Sequence, residues 1–474
     1  MRILKKSQVR CLMLLLAVLM QAAGVSAREL PLPVARALRQ AHLPVDALGI
    51  YVQDVSGRKA LVAFNPDTPF SPASTMKLVT TNAALELLGP AFTWKTQAYA
   101  DGVQSGDVLQ GNLVIKGSGD PKLVTEKFWL FLRQIRARGV REITGDLVLD
   151  RSAFEEVAYD PAGFDGDPSK PYNAGADALL LNYETLRLRF APDESQGMVN
   201  VTVDPPVADY PVAAPRLANG DCGDWQRKLD ATLQDGIRFN GSFAIACNEK
   251  TWYVHPAHLT HTRYFGAVFR QMWADLGGVF RGSVRSGPTP SDARLITEWE
   301  SATLPEVIRD INKYSNNVMA RQLLLTIAAS KLHLPGNTER GTDVVKSWLA
   351  NKGIAAPELV IENGSGLSRI ERIAPRTMAR MLVAAFKSPV MPELMASMPV
   401  VGYDGTMRNR LRESGVAGNA HIKTGRLDDV RAVAGYVLAA SGKRYAVVCL
   451  INHPNADSGL EVQDALLQWV YEFG

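Results

Sequence analysis

The sequence predicts an α+β fold in which helices pack on an antiparallel sheet and a strand-rich module interrupts the chain. Three observations predict it. Strand-like and then helical patterns open the chain, helical and then strand-like patterns close it, and the stretch between them is rich in short strands and turns. The 474 residues are enough for two or three domains. Finally, 46% hydrophobic and 21% charged residues are the composition of a globular protein.

The first part of the sheet-and-helix domain is predicted within residues 28–94. Residues 48–64 have the pattern of two strands around the turn at Ser56-Gly57. Apolar residues at helical spacing follow Ser74, and Gly89-Pro90 ends this helix. The domain therefore begins with a hairpin and then a helix.

The middle of the chain, residues 95–287, is predicted to be an inserted module with two subdomains, because its pattern changes to short strands and turns. Residues 288–474 then complete the split domain. Helical patterns resume at Thr303, where a capping-box sequence with an early proline indicates a helix start. The last predicted elements are two strands and a helix, at 430–440, 443–451 and 460–473.

The first 27 residues have the features of a cleaved signal peptide. Basic residues precede an apolar stretch, and Val25-Ser26-Ala27 is a small-x-small cleavage pattern. A retained anchor is the alternative, although the apolar stretch is short for a bilayer and small residues interrupt it. We therefore expect an exported, periplasmic protein that begins near Arg28 and has no stable membrane span after processing.

The charge of the chain argues against a nucleic-acid partner. Four basic residues and no acidic ones lie in the first 27 positions, and they account for the whole formal charge of +4. The remaining chain is neutral and has no excess positive charge for binding phosphates.

The cysteines fit an oxidising compartment. Cys222 and Cys247 lie in a polar, loop-like stretch, and we predict a disulfide between them. Cys449 lies in an apolar run and is predicted to be a buried thiol in the core.

A serine with a lysine three residues later is the first candidate for catalysis. On a helix this spacing puts both side chains on one face, where the lysine can take the proton of the serine. The spacing occurs twice, at Ser56 and Lys59 and at Ser74 and Lys77. Ser56 lies in a turn between strands, whereas Ser74 opens a helix whose free N–H groups favour an oxyanion. Ser74 is therefore the candidate nucleophile, with a simple helix cap as the alternative.

Two later motifs favour the catalytic interpretation. Lys423-Thr424-Gly425 directly precedes a strand-like run, so the lysine is expected at a sheet edge. Ser315-Asn316-Asn317 lies between two helical stretches, where a helix cap is again the alternative. Serine-lysine, serine-x-asparagine and lysine-threonine-glycine, in this order, form the signature of penicilloyl-serine enzymes.

With these motifs, the chain resembles the penicillin-binding protein 4 type of D-alanyl-D-alanine carboxypeptidase and endopeptidase. The resemblance covers essentially the whole chain after the signal peptide, including a long insertion after the first motif. It rests mainly on five stretches: Pro72 to Lys77, Lys313 to Gln322, Gly364 to Arg369, Gly402 to Thr406 and His421 to Gly435. The fold it implies is a split transpeptidase-like domain with an inserted module.

The resemblance also implies the roles of the motif residues. Ser74 is the nucleophile and Lys77 its base, while Ser315, Asn317 and Lys423 move protons and hold the substrate. The backbone N–H groups of Ser74 and Arg426 are the implied oxyanion hole, and the substrate is expected to lie along the strand that contains Thr424 and Gly425. The expected partners are peptidoglycan stem peptides, with β-lactams as covalent inhibitors. We also expect burial and the charge of Lys423 to lower the pKa of Lys77.

Further implied contacts lie outside the three motifs. Asp167 and Tyr172 match residues of the inserted module that meet the diaminopimelate side chain of the substrate, and a solvated aspartate-rich turn is the alternative. Arg369 is a candidate for pairing with a substrate carboxylate, with a structural salt bridge as the alternative. Arg426 departs from the small hydroxyl residue common after lysine-threonine-glycine. Together with Asp428, it is a candidate substrate-binding residue that adds charge at the rim of the cleft, near the leaving group.

No cofactor or metal is expected. His255, His258 and His261 recur at every third position, but Pro256 interrupts them and they do not form an H-E-x-x-H helix. We interpret them as a polar loop and a helix start.

Two other functions share Ser74. A β-lactamase has the same order of motifs, and Tyr314-Ser315-Asn316 can be read as the Y-x-N form of its middle motif, although the separation of Ser74 from Ser315 is long for that class. A sensor that binds penicillin or murein and is acylated without turnover is the other alternative. Rapid loss of the penicilloyl adduct would indicate a β-lactamase. A permanent adduct without D-alanine release would indicate a sensor.

Overall fold

The computed structural model describes residues 30–474. The predicted signal peptide, residues 1–27, lies outside the described residues. Within residues 30–474, no helix is both long and apolar enough to cross a membrane.

The strands and helices follow one another along the chain and are numbered here in that order. The strands are β1 (Leu48–Asp54), β2 (Ala60–Phe64), β3 (Lys95–Ser105), β4 (Val108–Gly117), β5 (Glu142–Ile143), β6 (Leu147–Asp150), β7 (Leu186–Asp193), β8 (Met198–Asp204), β9 (Arg216–Ala218), β10 (Ala231–Gln234), β11 (Gly236–Phe239), β12 (Ser242–Ala244), β13 (Lys250–Val254), β14 (Val279–Phe280), β15 (Val284–Ser286), β16 (Arg294–Glu300), β17 (Ala420–Leu427), β18 (Val430–Leu438) and β19 (Arg444–Asn452). The helices are α1 (Leu32–Gln40), α2 (Lys77–Leu88), α3 (Thr125–Ala137), α4 (Trp225–Lys228), α5 (His261–Asp275), α6 (Leu304–Tyr314), α7 (Asn317–Leu332), α8 (Thr338–Asn351), α9 (Pro375–Phe386), α10 (Met391–Ser397) and α11 (Leu460–Phe473).

The first body of the structure is a five-stranded antiparallel sheet with helices on both faces. Its strand order is β17-β18-β19-β1-β2, so β17 is an edge strand. Alternate residues of β18 contribute to two different cores: Ala434 and Tyr436 pack with α2, α6, α7 and α9, whereas Val433 and Val437 pack with α1 and α11. This alternation buries both faces of the sheet. The α+β class predicted from the sequence is confirmed.

The inserted module has its own hydrophobic core. One sheet has the order β14-β5-β4-β3-β16, with β6 and β15 continuing from β4, and a second sheet has the order β13-β7-β8. Both sheets and helices α3 and α5 share one buried cluster. The sequence placed the end of the module at residue 287, whereas β16, at Arg294–Glu300, pairs with β3. Local pattern misplaced this boundary because the partner strand is distant in the chain.

The cysteines lie as predicted. Cys222 and Cys247 form a disulfide in the inserted module. Cys449 is a free, fully buried thiol on β19, and burial raises its pKa to about 12. It is therefore a core residue rather than a reactive nucleophile.

Candidate active site

Ser74 lies in a 3-10 turn, Ala73–Met76, that leads into α2. Ala73 has a φ of 43°, in the left-handed region that non-glycine residues seldom adopt. Ala73 and Met76 are buried, whereas Ser74 is partly exposed. The residue before α2 is Met76, and no side chain caps this helix, so the helix-cap alternative for Ser74 is wrong.

Lys77 is fully buried and its amine is surrounded by acceptors. Its Nζ lies 2.9 Å from Ser74 Oγ, 2.5 Å from Asn317 Oδ1 and 2.5 Å from the Ser365 carbonyl oxygen. A neutral amine has two N–H bonds and one lone pair. Because Asn317 and Ser365 can accept both N–H groups, the lone pair of neutral Lys77 is left facing the hydroxyl of Ser74.

The surroundings of Lys77 favour this neutral form. Burial lowers the pKa of Lys77 well below its usual value, and the positive charges of Lys423 and Arg321 lower it further, while Glu371 acts in the opposite direction. The direction predicted from the sequence is confirmed, with burial as the larger cause.

The Ser315-Asn316-Asn317 segment is both a helix cap and part of the cluster. Ser315 has a φ of 60° and ends α6, and Asn316 caps α7 by accepting a hydrogen bond from the Met319 N–H at 3.0 Å. The residues on either side of this cap, Ser315 and Asn317, contact Lys423 and Lys77 respectively. Tyr314 is 70% exposed, so the structure favours the serine-x-asparagine register over Y-x-N.

Lys423 and Thr424 lie on the edge strand β17. Lys423 is fully buried, and its Nζ donates hydrogen bonds to Ser315 Oγ at 2.8 Å and to the Thr424 carbonyl at 2.7 Å. Burial lowers the pKa of Lys423 to about 7. Thr424 Oγ1 donates to Thr406 Oγ1 at 2.7 Å, so the segment at Gly402 to Thr406 also reaches this edge.

Two glycines allow neighbouring segments to approach the turn of Ser74. A Cβ at Gly425 would lie 3.0 Å from the Ser74 nitrogen and 2.7 Å from the Pro72 carbonyl oxygen. A Cβ at Gly366 would lie 1.8 Å from the Ala73 carbonyl oxygen, and Gly366 has a φ of 81°. The glycines therefore set how closely β17 and the 364–366 turn pack against the turn of Ser74.

Sequence reasoning missed two groups that act on Lys77: the Ser365 carbonyl, which its amine contacts, and the Glu371 carboxylate, whose charge raises its pKa. The Gly364 to Arg369 stretch carried only the family resemblance, whereas its Gly364-Ser365-Gly366 turn packs directly against Lys77 and Ala73. Glu371 is fully buried and follows the same loop. A backbone carbonyl has no signature in sequence, and a single glutamate in a loop has no periodic pattern.

The aspartate-rich loop of the inserted module is organised by Asp165, which sequence reasoning did not select. Its carboxylate accepts hydrogen bonds from Lys170, Tyr172 and Asn173, and these partners hold the pKa of Asp165 far below its usual value against the effect of burial. Asp167 accepts hydrogen bonds within its own turn, while 43% of its side chain is exposed. Tyr172 is also exposed, so both predicted residues present surface to a ligand.

Arg369 connects this loop to the turn after β17. Its guanidinium lies 4.5 Å from the centre of the Phe164 ring, 3.6 Å from Asp428 and 3.5 Å from Asp429. The salt-bridge alternative therefore describes its contacts in this structure, although 47% of its side chain stays exposed. The side chain of Arg426 is exposed and lies 3.5 Å from Asp457.

Two of the three histidines, His255 and His261, contact Glu184. His255 is buried and its Nδ1 contacts the Glu184 carbonyl at 2.8 Å, while His261 Nδ1 lies 3.1 Å from the Glu184 carboxylate. Burial lowers the pKa of both histidines and raises that of Glu184. Among residues 30–474, no group of three or more histidine, cysteine or acidic residues is arranged to hold a metal ion.

Comparison with known proteins agrees with this geometry. Residues 32–473 match the model of the D-Ala-D-Ala carboxypeptidase 3 (S13) family. The D-alanyl-D-alanine carboxypeptidase DacB of Haemophilus influenzae is 27% identical over 410 residues, which is 85% of each chain. A D-alanyl-D-alanine carboxypeptidase of Actinomadura sp. (strain R39) is 27% identical over 476 residues, covering 96% of this chain and 87% of the relative.

A solved structure shows the same fold. The crystal structure of penicillin binding protein 4 from Haemophilus influenzae superposes with a TM-score of 0.79 at 25% identity, covering 93% of this chain and 99% of that one. The family match spans nearly every described residue. The chain therefore belongs to the D-Ala-D-Ala carboxypeptidase 3 (S13) family of serine peptidases.

Proposed function

We propose that this protein is a serine-type DD-peptidase that acts on peptidoglycan stem peptides, with Ser74 as its nucleophile. The observation that carries the proposal is the 2.9 Å contact between Lys77 Nζ and Ser74 Oγ, at an amine whose two other neighbours are acceptors. This arrangement prepares a neutral lysine to take the serine proton.

The acylation step follows from these contacts. As Ser74 Oγ bonds to the carbonyl carbon of the penultimate D-alanine, its proton moves to Lys77 Nζ. The oxyanion is assigned to the backbone N–H groups of Ser74 and Arg426, which the close approach at Gly425 supports. The peptide bond then breaks, a proton passes to the departing amine, and water later hydrolyses the acyl-enzyme.

Lys423 and Ser315 form a second amine and hydroxyl pair, 2.8 Å apart. We assign to them the return of the proton to the departing amine and, for Lys423 in its charged form, attraction of the substrate carboxylate. The position of Lys423 on the edge strand β17 supports a substrate that adds as a further antiparallel strand.

The loop around Asp165 is a candidate site for the diaminopimelate side chain. Asp167 supplies an exposed carboxylate for the ammonium group of that side chain, and Tyr172 and Arg369 lie on the same rim. A peptidase with this substrate works in the cell wall, and we propose that the first 27 residues direct export to the periplasm.

Acylation by β-lactams belongs to the same proposal. A second crystal structure of the Haemophilus influenzae protein, with a TM-score of 0.75 and 25% identity, is a complex with a β-lactam. The ring carbonyl of a penicillin would occupy the place of the scissile carbonyl next to Ser74.

Incubation of the purified protein with isolated murein tests this function. Monomers that accumulate from cross-linked dimers would show endopeptidase action, whereas free D-alanine alone would show carboxypeptidase action. Ser74→Ala should abolish both. Ser56→Ala is a matched control because it removes the serine of the other serine-x-x-lysine sequence, and it should keep full activity. A protein that releases no fragment while keeping a permanent penicilloyl adduct would be a sensor, and one that rapidly destroys penicillin would be a β-lactamase.

A further inference from the structure

Glu371 is a buried carboxylate that closes the loop leading to Ser365. Its Oε1 accepts hydrogen bonds from the backbone N–H groups of Glu362, Asn363 and Gly364, at 3.1, 2.9 and 2.9 Å. Three amide donors on one oxygen are characteristic of an ionised carboxylate. One side chain therefore sets the conformation of this turn.

The turn positions an acceptor for the catalytic amine. Ser365, the next residue, presents its carbonyl oxygen to Lys77 Nζ at 2.5 Å. The Gly364 carbonyl accepts a hydrogen bond from Thr80 Oγ1 at 2.7 Å, one turn of α2 after Lys77. Displacing Glu371 would therefore move an acceptor that orients the Lys77 lone pair.

The charge of Glu371 also acts on Lys77. Lys423 and Arg321 lower the pKa of Lys77, whereas Glu371 raises it. Burial raises the pKa of Glu371, and the amide donors and the charge of Lys77 oppose that effect. Burial lowers the pKa of Arg321, and the charges of Tyr159, Glu371 and Glu362 raise it.

The second oxygen of Glu371 has no evident structural role. Oε2 is buried and lacks a hydrogen-bond partner among the described residues. An unpaired buried carboxylate oxygen destabilises the fold. An apolar side chain would avoid that cost but could not accept the three amide hydrogen bonds, and a glutamine would bury unpaired N–H groups in place of Oε2.

We propose that Glu371 is a positioning residue for the serine–lysine pair: it holds the Ser365 carbonyl on Lys77, and its negative charge offsets Lys423 and Arg321 at the amine. The proposal rests on the proposed function, in which Lys77 is the base. A lysine with two cations nearby and no anion would be a poor proton acceptor, and Glu371 restores part of its basicity.

The pH dependence of acylation by a fluorescent penicillin tests this role. Acylation requires neutral Lys77, so its rate falls as the pH decreases through the pKa of that lysine. Glu371→Gln removes the charge and lowers the pKa of Lys77. It should therefore shift the acid limb of the pH–rate profile to lower pH by about 1 unit. Glu371→Asp keeps the charge but shortens the side chain, so its limb should stay in place while its plateau rate falls about 10-fold.

Glu362→Gln is the matched control, because it removes an exposed carboxylate from the same turn and should give the wild-type profile. An unshifted acid limb in a Glu371→Gln protein with a wild-type melting temperature would overturn the proposal. If the Glu371→Gln variant does not fold, Glu371→Asp provides the test. A wild-type plateau rate in that variant would refute the positioning role. Failure of the proposed function is separate, because the wild-type protein would then release neither D-alanine nor monomers from murein, whatever the position of its acid limb.

Discussion

The edge strand β17 comes close to the turn of Ser74 at Gly425, and Gly425→Ala tests whether the site needs this close approach. The added Cβ would lie 2.7 Å from the Pro72 carbonyl oxygen and 3.0 Å from both Ala73 Cβ and the Ser74 nitrogen. Gly425 does not have a positive φ, so an alanine there is not strained in its own backbone. The substitution therefore changes only the spacing between β17 and the turn of Ser74.

The size of the effect follows from these distances. Ordinary contacts of a Cβ begin at 3.4 Å, so the contact with the Pro72 oxygen is about 0.7 Å too short and the strand or the turn must move by a comparable amount. A misplacement of about 1 Å at a catalytic group can reduce a rate about 100-fold. We expect the acylation rate constant to fall about 10- to 100-fold, with a loss of about 1–3 kcal/mol in the free energy of unfolding.

Labelling with a fluorescent penicillin measures this rate constant, and thermal unfolding of the same samples measures stability. Gly57→Ala is the control, since this glycine lies in the turn between β1 and β2 and its new Cβ would come no nearer than 3.2 Å to Asp54. Labelling of Gly425→Ala within twofold of the wild-type rate would refute the reasoning. It would mean that the approach of β17 to Ser74 tolerates a methyl group.

Three further predictions follow from individual contacts. Lys77→Arg should abolish acylation because a guanidinium does not deprotonate in proteins, and normal labelling by penicillin would refute this. Burial lowers the pKa of His255 from 6.5 to about 4. Neutral His255 therefore contributes about 3 kcal/mol to the free energy of unfolding above pH 6.5, and this contribution is lost as the pH falls towards 4. His255→Asn, whose amide can still donate to the Glu184 carbonyl, should remove this acid-dependent loss, and equal losses in both proteins between pH 7 and 4 in urea unfolding would contradict the assignment. Tyr172→Phe removes a hydrogen bond of about 1 kcal/mol to Asp165. It should raise the KM for diaminopimelate-containing peptides about 5-fold without changing acylation by penicillin, and an unchanged KM would argue against that loop as a binding site.

Local sequence patterns determined the parts of this protein that depend on neighbours in the chain. The strands β18 and β19 follow from short, nearly continuous apolar runs, which are typical of strands buried on both faces, and the helix α11 follows from apolar residues at helical spacing. The three sequence motifs of the candidate site could also be recognised from the sequence. Ser74 and Lys77 lie three residues apart, and Ser315 and Asn317 flank a cap, so each motif is short enough to be recognised without the fold.

Only the tertiary structure decided how these motifs meet. Lys77 contacts Asn317 and Ser365, which are 240 and 288 positions away in the chain. Burial of Lys77 and Lys423, which lowers the pKa of both, comes from packing against distant elements that no local pattern encodes. Glu371 was invisible for the same reason: its role comes from the backbone groups around it and not from the residue types beside it. The sequence therefore determined which side chains are available, and the packing of distant segments decided which are charged, oriented and close enough to react.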